Sequence, residues 1–335
     1  MDLTALLPWI WATLLGVAVA FYVILDGFDL GIGMLFPFAK DDSERDRMLA
    51  SVAPYWDGNE TWLVLGGGGL LVAFPPAYAI IMPAFYLPIV VMLLALVFRG
   101  VTFEFRAIAH HKGLWNVIFA AASTLAALCQ GFVLGGLVHG VAVENNAFAG
   151  GPFDWATPFG VLCALGVVAG YALLGATWLI LKTDGDIARR ATAKAKVLLI
   201  AVLVLMAAVS VYTPLFIPRI AQRWFTLPNF YYLAPIPVVT ALVALLEWRA
   251  LAAGREVTPF LATIALFVLG YIGLAISAFP YIVPTALTIP QAAAAPSSQG
   301  FMLIGTVVLL PCILGYTALT YWLFRGKVHE GAAYH

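Results

Sequence analysis

Residues 8–37 read PWIWATLLGVAVAFYVILDGFDLGIGMLFP, an apolar run that contains two aspartates, Asp26 and Asp29. About 20 consecutive apolar residues cross the roughly 30 Å of hydrocarbon in a bilayer as a helix. No basic residue precedes the run, and it is longer than the apolar segment of a signal peptide. It is therefore predicted to form a first membrane helix that the mature protein retains.

The whole chain has the composition of an integral membrane protein. It has 335 residues, of which 63% are hydrophobic and 10% are charged, whereas soluble domains carry about 25% charged residues. The formal net charge of zero argues against a nucleic-acid partner. Apolar and polar residues do not alternate with a period of two, so the predicted fold class is an all-α membrane protein and not a transmembrane β-barrel.

Nine apolar stretches have the length of a membrane helix. Together they predict a single polytopic membrane domain over residues 1–335, with its helices in two bundles. Residues 1–141 carry the charged side chains within spans, and residues 142–335 are expected to be mainly scaffold. The predicted spans are 8–37, 54–74, 77–105, 114–141, 157–182, 196–217, 230–252, 258–281 and 301–325.

The second predicted span is unusual because it contains four consecutive glycines, Gly66 to Gly69, and ends at Pro75 and Pro76. Glycine in a membrane bundle permits two helix backbones to approach closely. A neighbouring helix is therefore expected to pack tightly against this run.

The lysines and arginines predict the orientation of the chain. Of the 17, 14 follow the odd-numbered spans, and on the opposite side there are only Arg219 and Arg223. Because positive loops stay in the cytoplasm, the N-terminus is predicted to be outside (periplasmic) and the C-terminus cytoplasmic. The 14 residues are Lys40, Arg45, Arg47, Arg106, Lys112, Lys182, Arg189, Arg190, Lys194, Lys196, Arg249, Arg255, Arg325 and Lys327.

Six charged residues lie inside the first three spans, towards the ends that face the cytoplasm. A carboxylate in hydrocarbon is costly unless it is paired, hydrated or protonated, so this cluster predicts a functional site for protons or ions. The alternative is a structural role, in which charges near helix ends reach the interface and Arg99 only neutralises a carboxylate. The six residues are Asp26, Asp29, Asp57, Glu60, Arg99 and Glu104.

Motifs for catalysis or metal binding are missing from the chain, and no catalytic residue is predicted. It has no phosphate-binding loop, dinucleotide fingerprint or nucleophile elbow, and its isolated cysteines predict no zinc or iron–sulfur site. Haem in a bundle needs histidine or methionine ligands at membrane depth, but of the five histidines only His139 falls in a span. His110 and His111 fall in a loop, and His329 and His335 in the tail. The later spans are expected to be almost free of charge.

These residues resemble subunit II of the cytochrome bd-type quinol oxidases. The resemblance is carried by DGFDLG at 26–31, SVAPYWDGN at 51–59, FRGVTFEFR at 98–106 and FPYIVP at 279–284. The four motifs occur in the order of the family, in a chain of suitable length and helix count. The compact outer loops resemble those of the shorter, cyanide-insensitive branch.

The resemblance implies a partner, subunit I, that binds two b-type haems and one d-type haem in the bacterial cytoplasmic (inner) membrane. Such an oxidase is expected to oxidise quinol, specifically ubiquinol, and to reduce dioxygen to water, producing a membrane potential without pumping protons. Subunit II would be a multi-pass subunit that binds no haem and stabilises subunit I. Some members hold a structural quinone or a small accessory subunit, so both are expectations here, along with bound lipid.

The family's cytoplasmic proton pathway implies a role for the same six residues. Asp26, Asp29, Asp57 and Glu104 would carry protons, with Glu60 beside them and Arg99 tuning their affinity. The family often has aspartate where Glu104 stands.

Two other functions stay open on the residues alone. A proton-coupled secondary transporter would require a matching polar site in the second half of the chain. No second Asp-Gly or Trp-Asp-Gly-Asn motif follows residue 105 within a span, which disfavours that function. A purely structural membrane subunit, with carboxylates that only form ion pairs, is the other alternative.

Overall fold

The structure is a computed structural model, and it describes residues 3–328. The tail histidines, His329 and His335, lie outside the described residues.

The chain is almost entirely helical, and its short strands form two antiparallel hairpins in loops. The strands are β1 Val143–Glu144, β2 Ala147–Phe148, β3 Tyr281–Val283 and β4 Leu287–Thr288. The helices are α1 Leu3–Leu35, α2 Asp42–Ala50, α3 Trp56–Ala73, α4 Pro75–Ala84, α5 Tyr86–Ile108, α6 Lys112–His139, α7 Pro158–Lys182, α8 Gly185–Phe216, α9 Pro218–Phe225, α10 Asn229–Leu233, α11 Pro235–Ala252, α12 Val257–Ala278, α13 Ile289–Ala292 and α14 Pro296–Leu323.

Within residues 3–328, eight helical segments are long and apolar enough to cross a membrane. They confirm seven of the nine predicted spans, and the third span in its second part. The second predicted span forms α3, but that helix has only 18 residues and carries Asp57 and Glu60 near its start. Its mean hydropathy is therefore lower than that of the other eight. The direction in which the bundle crosses the membrane stays a prediction.

The third predicted span, 77–105, is wrong as a single helix. Pro75 and Pro76 start a separate helix, α4, which stops at Ala84, and α5 begins at Tyr86. Proline has no backbone N–H, and its ring clashes with the carbonyl of the residue four positions earlier. Pro88 lies four residues after Ala84, so the helix cannot continue through this point.

Helix α7 lies at the centre of the molecule and packs against α1, α6, α8 and α12. It is the most buried of the eight spans, whereas α14 is the least buried and contacts mainly α1 and α3. The six predicted site residues lie on α1, α3 and α5, so they are on one side of α7.

Helices α1 and α7 make a close backbone contact, and two glycines make it possible. A Cβ added to Gly31 would collide with the carbonyl oxygen of Tyr171 and lie 2.8 Å from the backbone nitrogen of Gly175. Gly31 belongs to the 26–31 motif, so that motif serves packing as well as charge. Helices α6 and α7 approach in the same way at Gly135 and Gly160.

The expectation of tight backbone packing at Gly66 to Gly69 is wrong. Added Cβ atoms at Gly67 and Gly68 would meet nothing within 4 Å, and those at Gly66 and Gly69 would meet only side chains of α1. Among residues 3–328, no backbone atom of another helix lies within 4 Å of these added Cβ atoms.

Replacing Gly175 by alanine is expected to destabilise the protein by about 1–3 kcal/mol, the usual cost of forcing an extra carbon into a packed core. The new methyl would lie 2.7 Å from the backbone nitrogen of Ile32, on α1. The matched control is Gly166→Ala on the same helix, where an added Cβ meets nothing within 4 Å. Thermal unfolding of the two purified variants checks this, and equal melting temperatures would contradict it.

The two arginines on the predicted outer side cap the ends of helices. Arg219 donates hydrogen bonds to the carbonyl oxygen of Val138 in α6 and, at 3.4 Å, to that of Ser277 in α12. Arg223 donates to the carbonyl oxygen of Phe279 at 2.6 Å. Cations are stabilised by the unpaired carbonyls at helix C-termini, which accounts for these two exceptions to the distribution of positive charge.

Candidate functional site

Arg99 on α5 is the centre of a buried ion-pair cluster. Its guanidinium is fully buried and donates to Asp26 Oδ1 on α1 and, at 2.9 Å, to Glu60 Oε2 on α3. Asp26 is also fully buried, whereas the side chain of Glu60 remains 27% exposed. One guanidinium thus joins three helices, and Glu60 is the member of the cluster that reaches the surface.

Asp29 lies one helical turn after Asp26 and is bound in a different way. Its Oδ2 accepts a hydrogen bond of 2.8 Å from the Asn59 amide, and Asn59 Oδ1 accepts one of 3.0 Å from the Tyr321 hydroxyl on α14. Asp29 is 1% exposed. Within residues 3–328 it forms no ion pair, and its Oδ1 has no hydrogen-bond partner. Asp29 is therefore a buried carboxyl with an amide partner and no cation.

A second polar chain begins at Tyr22, one turn before Asp26. The Gln130 amide donates to the Tyr22 hydroxyl at 2.8 Å, and the Tyr171 hydroxyl donates to Gln130 Oε1 at 2.6 Å. These contacts extend the polar interior from α1 to α6 and α7.

Helix α2 lies at the predicted cytoplasmic end of the same helices and is held there by ion pairs. Arg106 of α5 is almost fully buried and contacts Asp46 at 2.5 Å, while Lys112 contacts the same carboxylate at 3.0 Å. The pKa of Asp42 is lowered, chiefly because the Asn116 amide donates to its carboxylate. The charged α2 therefore packs against α5 and α6 near the Arg99 cluster.

The structure brings four of the six predicted site residues together: Asp26, Asp29, Glu60 and Arg99. Asp57 and Glu104 are exposed. Glu104 follows Arg99 by five residues, which turns it about 140° around α5 at 3.6 residues per turn. Asp57 lies three residues before Glu60 in the first turn of α3, so it faces the surface beside the exposed edge of Glu60. Their proposed part in proton transfer stays a prediction.

Several polar residues of the interior were not predicted from the sequence, among them Asn59, Tyr321 and Glu247. Asn59 is part of the 51–59 motif, and an amide there could have been recognised as a partner for Asp29. Tyr321 gave no signal, because a tyrosine near the end of an apolar helix is common at membrane interfaces. Glu247, on α11, is fully buried, so the expectation that the later spans are nearly free of charge is wrong at this residue. A carboxyl inside the predicted span 230–252 was the same signal that identified Asp26.

Lys182 attaches the end of α14 to the bundle. Its ammonium donates to the Tyr55 hydroxyl at 2.9 Å, to the carbonyl of Phe324, and at 3.2 Å to the carbonyl of Gly326. It also lies 5.2 Å from the centroids of the Tyr55 and Trp178 rings, within the range of a cation–π contact. These contacts compensate for the burial of the lysine, which is 3% exposed.

Replacing Lys182 by methionine is expected to release the segment after α14. Methionine fills the space but removes the donor to the Tyr55 hydroxyl oxygen and to the Gly326 carbonyl, which costs about 1–3 kcal/mol. The Phe324 carbonyl keeps the hydrogen bond of 2.6 Å from the Tyr55 hydroxyl. Trypsin should then cleave after Arg325 faster than in the unchanged protein. The control is Lys40→Met, since Lys40 is exposed, and equal cleavage rates in both variants would refute the role of Lys182.

The described histidines of this chain do not fit haem ligation. The described histidines, His110, His111 and His139, are all exposed. Among residues 3–328, no group of three or more His, Cys, Asp and Glu side chains is arranged to hold a metal ion. The buried polar residues instead form an acid–amide–guanidinium cluster.

A model of the family described as cytochrome bd terminal oxidase subunit II matches residues 7–324. The chain is 30% identical over 363 residues to the cytochrome bd-I ubiquinol oxidase subunit 2 of Escherichia coli (strain K12), with 96% of this chain and 95% of the relative covered. It is 29% identical over 334 residues to the cytochrome bd ubiquinol oxidase subunit 2 of Bacillus subtilis (strain 168), with 95% and 96% covered. A chain of the bd oxidase structure from Geobacillus thermodenitrificans has a similar fold, with a TM-score of 0.78 at 17% identity and coverage of 95% and 98%.

Proposed function

Since the chain belongs to the cytochrome bd terminal oxidase subunit II family, we propose that it stabilises a haem-bearing subunit I and supplies it with protons from the cytoplasm. The chain is a multi-pass subunit of a quinol oxidase in the bacterial inner membrane. Its relatives are named ubiquinol oxidases. The reaction proposed for the complex is therefore the oxidation of ubiquinol and the reduction of dioxygen to water.

The imbalance of charge around Arg99 carries the proposal for proton transfer. Three buried or half-buried carboxyls, Asp26, Asp29 and Glu60, surround one guanidinium. Asp26 and Glu60 are paired with it, but Asp29 is not. A buried carboxyl without a cation is costly as an anion, so it holds a proton or needs one nearby. Groups that differ in this way can take up and release protons in sequence.

The exposure of the residues supports an entry from the cytoplasmic end. Asp57 is exposed, Glu60 is half-buried beside it, and Asp26 and Asp29 are buried further along the cluster. We infer that protons enter at Asp57 and Glu60 and reach Asp29 through the group that Arg99 organises. Glu104 lies on another face of α5, so its part in the pathway depends on the surface that subunit I covers.

We assign the haems of the complex to subunit I, as the family resemblance implies, and the exposure of the described histidines in this chain supports that assignment. The proposal includes two b-type haems and one d-type haem, and haem supplies the reduction of oxygen when it is bound there. A structural quinone, a small accessory subunit and bound lipid belong to the same proposal and rest on the family resemblance.

An optical spectrum of the native complex, recorded reduced minus oxidised after purification in detergent, tests the proposed oxidase. Bands of b-type and d-type haem that co-purify with this chain are the expected result. A stable preparation of this chain alone, without haem or a second subunit, would contradict the proposal and favour a transporter.

A further inference from the structure

Glu247 is a buried carboxyl outside the Arg99 cluster, and the proposed proton pathway does not use it. It lies on α11, five residues before the helix ends at Ala252, where α11 packs against α12 and α8. Its Oε1 lies 2.7 Å from the hydroxyl oxygen of Thr263, and that hydroxyl lies 3.4 Å from Thr177 Oγ1. Glu247, Thr263 and Thr177 are all completely buried.

No cation compensates a negative charge at this position. Within residues 3–328, Glu247 takes part in no ion pair, and its carboxyl has one hydrogen-bond partner, the Thr263 hydroxyl. Its second oxygen, Oε2, is buried and has no hydrogen-bond partner. An ionised carboxylate here would therefore have one hydroxyl partner and no countercharge, an arrangement that buried charges rarely adopt.

The hydroxyl hydrogens can be placed consistently when Glu247 is a neutral acid. The Thr263 hydroxyl also lies 3.0 Å from the carbonyl oxygen of Pro259, and the Thr177 hydroxyl lies 3.0 Å from that of Leu173. A carboxylic acid can donate its hydrogen to Thr263 Oγ1, and Thr263 can then donate to Pro259. Each hydroxyl hydrogen then has an acceptor, and only the uncharged carbonyl oxygen of the acid is left without a partner.

We propose that Glu247 is a proton-binding site, occupied in the resting protein and separate from the Arg99 cluster. The described hydrogen bonds do not connect the two sites. Aromatic rings pack next to Asp29 instead. The ring of Phe28 stacks on that of Trp178, with centroids 4.1 Å apart, and contacts that of Phe260 edge-on, with centroids 5.9 Å apart. The bound proton keeps the contact of α11 with α12 uncharged.

Infrared difference spectroscopy of the purified complex at neutral pH tests this site. The spectrum of the unchanged protein minus that of Glu247→Gln should contain the C=O stretching band of a protonated carboxylic acid, and D₂O should shift this band. Other buried acids cancel in the difference because both samples contain them.

The matched control is Glu256→Gln, because Glu256 is exposed and its carboxylate contacts Lys327 at 2.7 Å. The spectrum of the unchanged protein minus that of Glu256→Gln should contain carboxylate bands and no C=O band of a protonated acid. Carboxylate bands in the Glu247 difference would overturn the proposal.

A second variant, Thr263→Val, covers the case in which Glu247→Gln does not assemble. Valine has nearly the shape of threonine but cannot hydrogen-bond, so the C=O band of a protonated Glu247 should move to higher frequency. No change of that band in the Thr263→Val complex would also overturn the proposal.

Discussion

Replacing Arg99 by methionine is expected to prevent assembly of the oxidase or to leave it severely unstable. The change leaves Asp26 buried and charged without its partner, and removing one member of a buried ion pair costs about 3–5 kcal/mol. It also frees Glu60, which loses a hydrogen bond of 2.9 Å. The yield and melting temperature of the purified complex measure the effect.

A double variant separates the missing charge from the missing side chain. Asp26→Asn combined with Arg99→Met removes both buried charges, so the complex should recover much of the stability that Arg99→Met alone loses. Arg189→Met is the surface control, because Arg189 is exposed in its ion pair with Asp186 and such pairs contribute little. A double variant no more stable than Arg99→Met would argue that Arg99 acts by packing and not by charge.

The second large effect is expected on turnover. Asp29→Asn should lower quinol-driven oxygen consumption by about a hundredfold, at the lower end of what a positioned proton-transfer group contributes. Asparagine keeps the shape and can still accept the hydrogen bond from Asn59, but it cannot carry a proton. Haem content and melting temperature should stay near those of the unchanged complex.

The control for Asp29→Asn is Asp186→Asn, the same chemical change at an exposed residue of α8 that pairs with Arg189 at 2.8 Å. Full turnover is expected there. If Asp29→Asn also retains full turnover in a complex with normal haem content, the carboxyls of the cluster serve structure alone. The family assignment would stand in that case, since it does not depend on proton transfer.

The membrane helices and most of the charged cluster could be predicted from the sequence, because length and hydropathy are local properties. The exceptions are also local in origin. Pro88 breaks the predicted third span, and the polar start of α3 lowers the hydropathy of the second. Glu247 carries the same local signal as Asp26, a carboxyl within an apolar span, so it could have been identified in the same way.

The partners within the site could not be predicted, because they come from distant segments of the chain. Arg99 and Asp26 are 73 residues apart, and Tyr321 and Asn59 are 262 apart. The sequence places Asp29 and Asp26 on one face of α1, but it cannot tell which of them Arg99 neutralises. The spacing within α5 places Glu104 on another face from Arg99, although which face is buried depends on the helices around it.

The sequence by itself therefore determined a helical membrane protein, its family and most of the charged residues that lie within its apolar spans, since each depends on a short stretch of residues. Only the tertiary structure decided that Asp29 has an amide partner in place of a cation, and that Gly31 and Gly175 bring α1 against α7. It also decided that Glu247 is buried against the hydroxyl of Thr263, which in turn contacts Thr177. Burial and pairing arise only when the helices pack against one another. The free-energy cost of burying a charge depends on the polar and charged groups that then surround it.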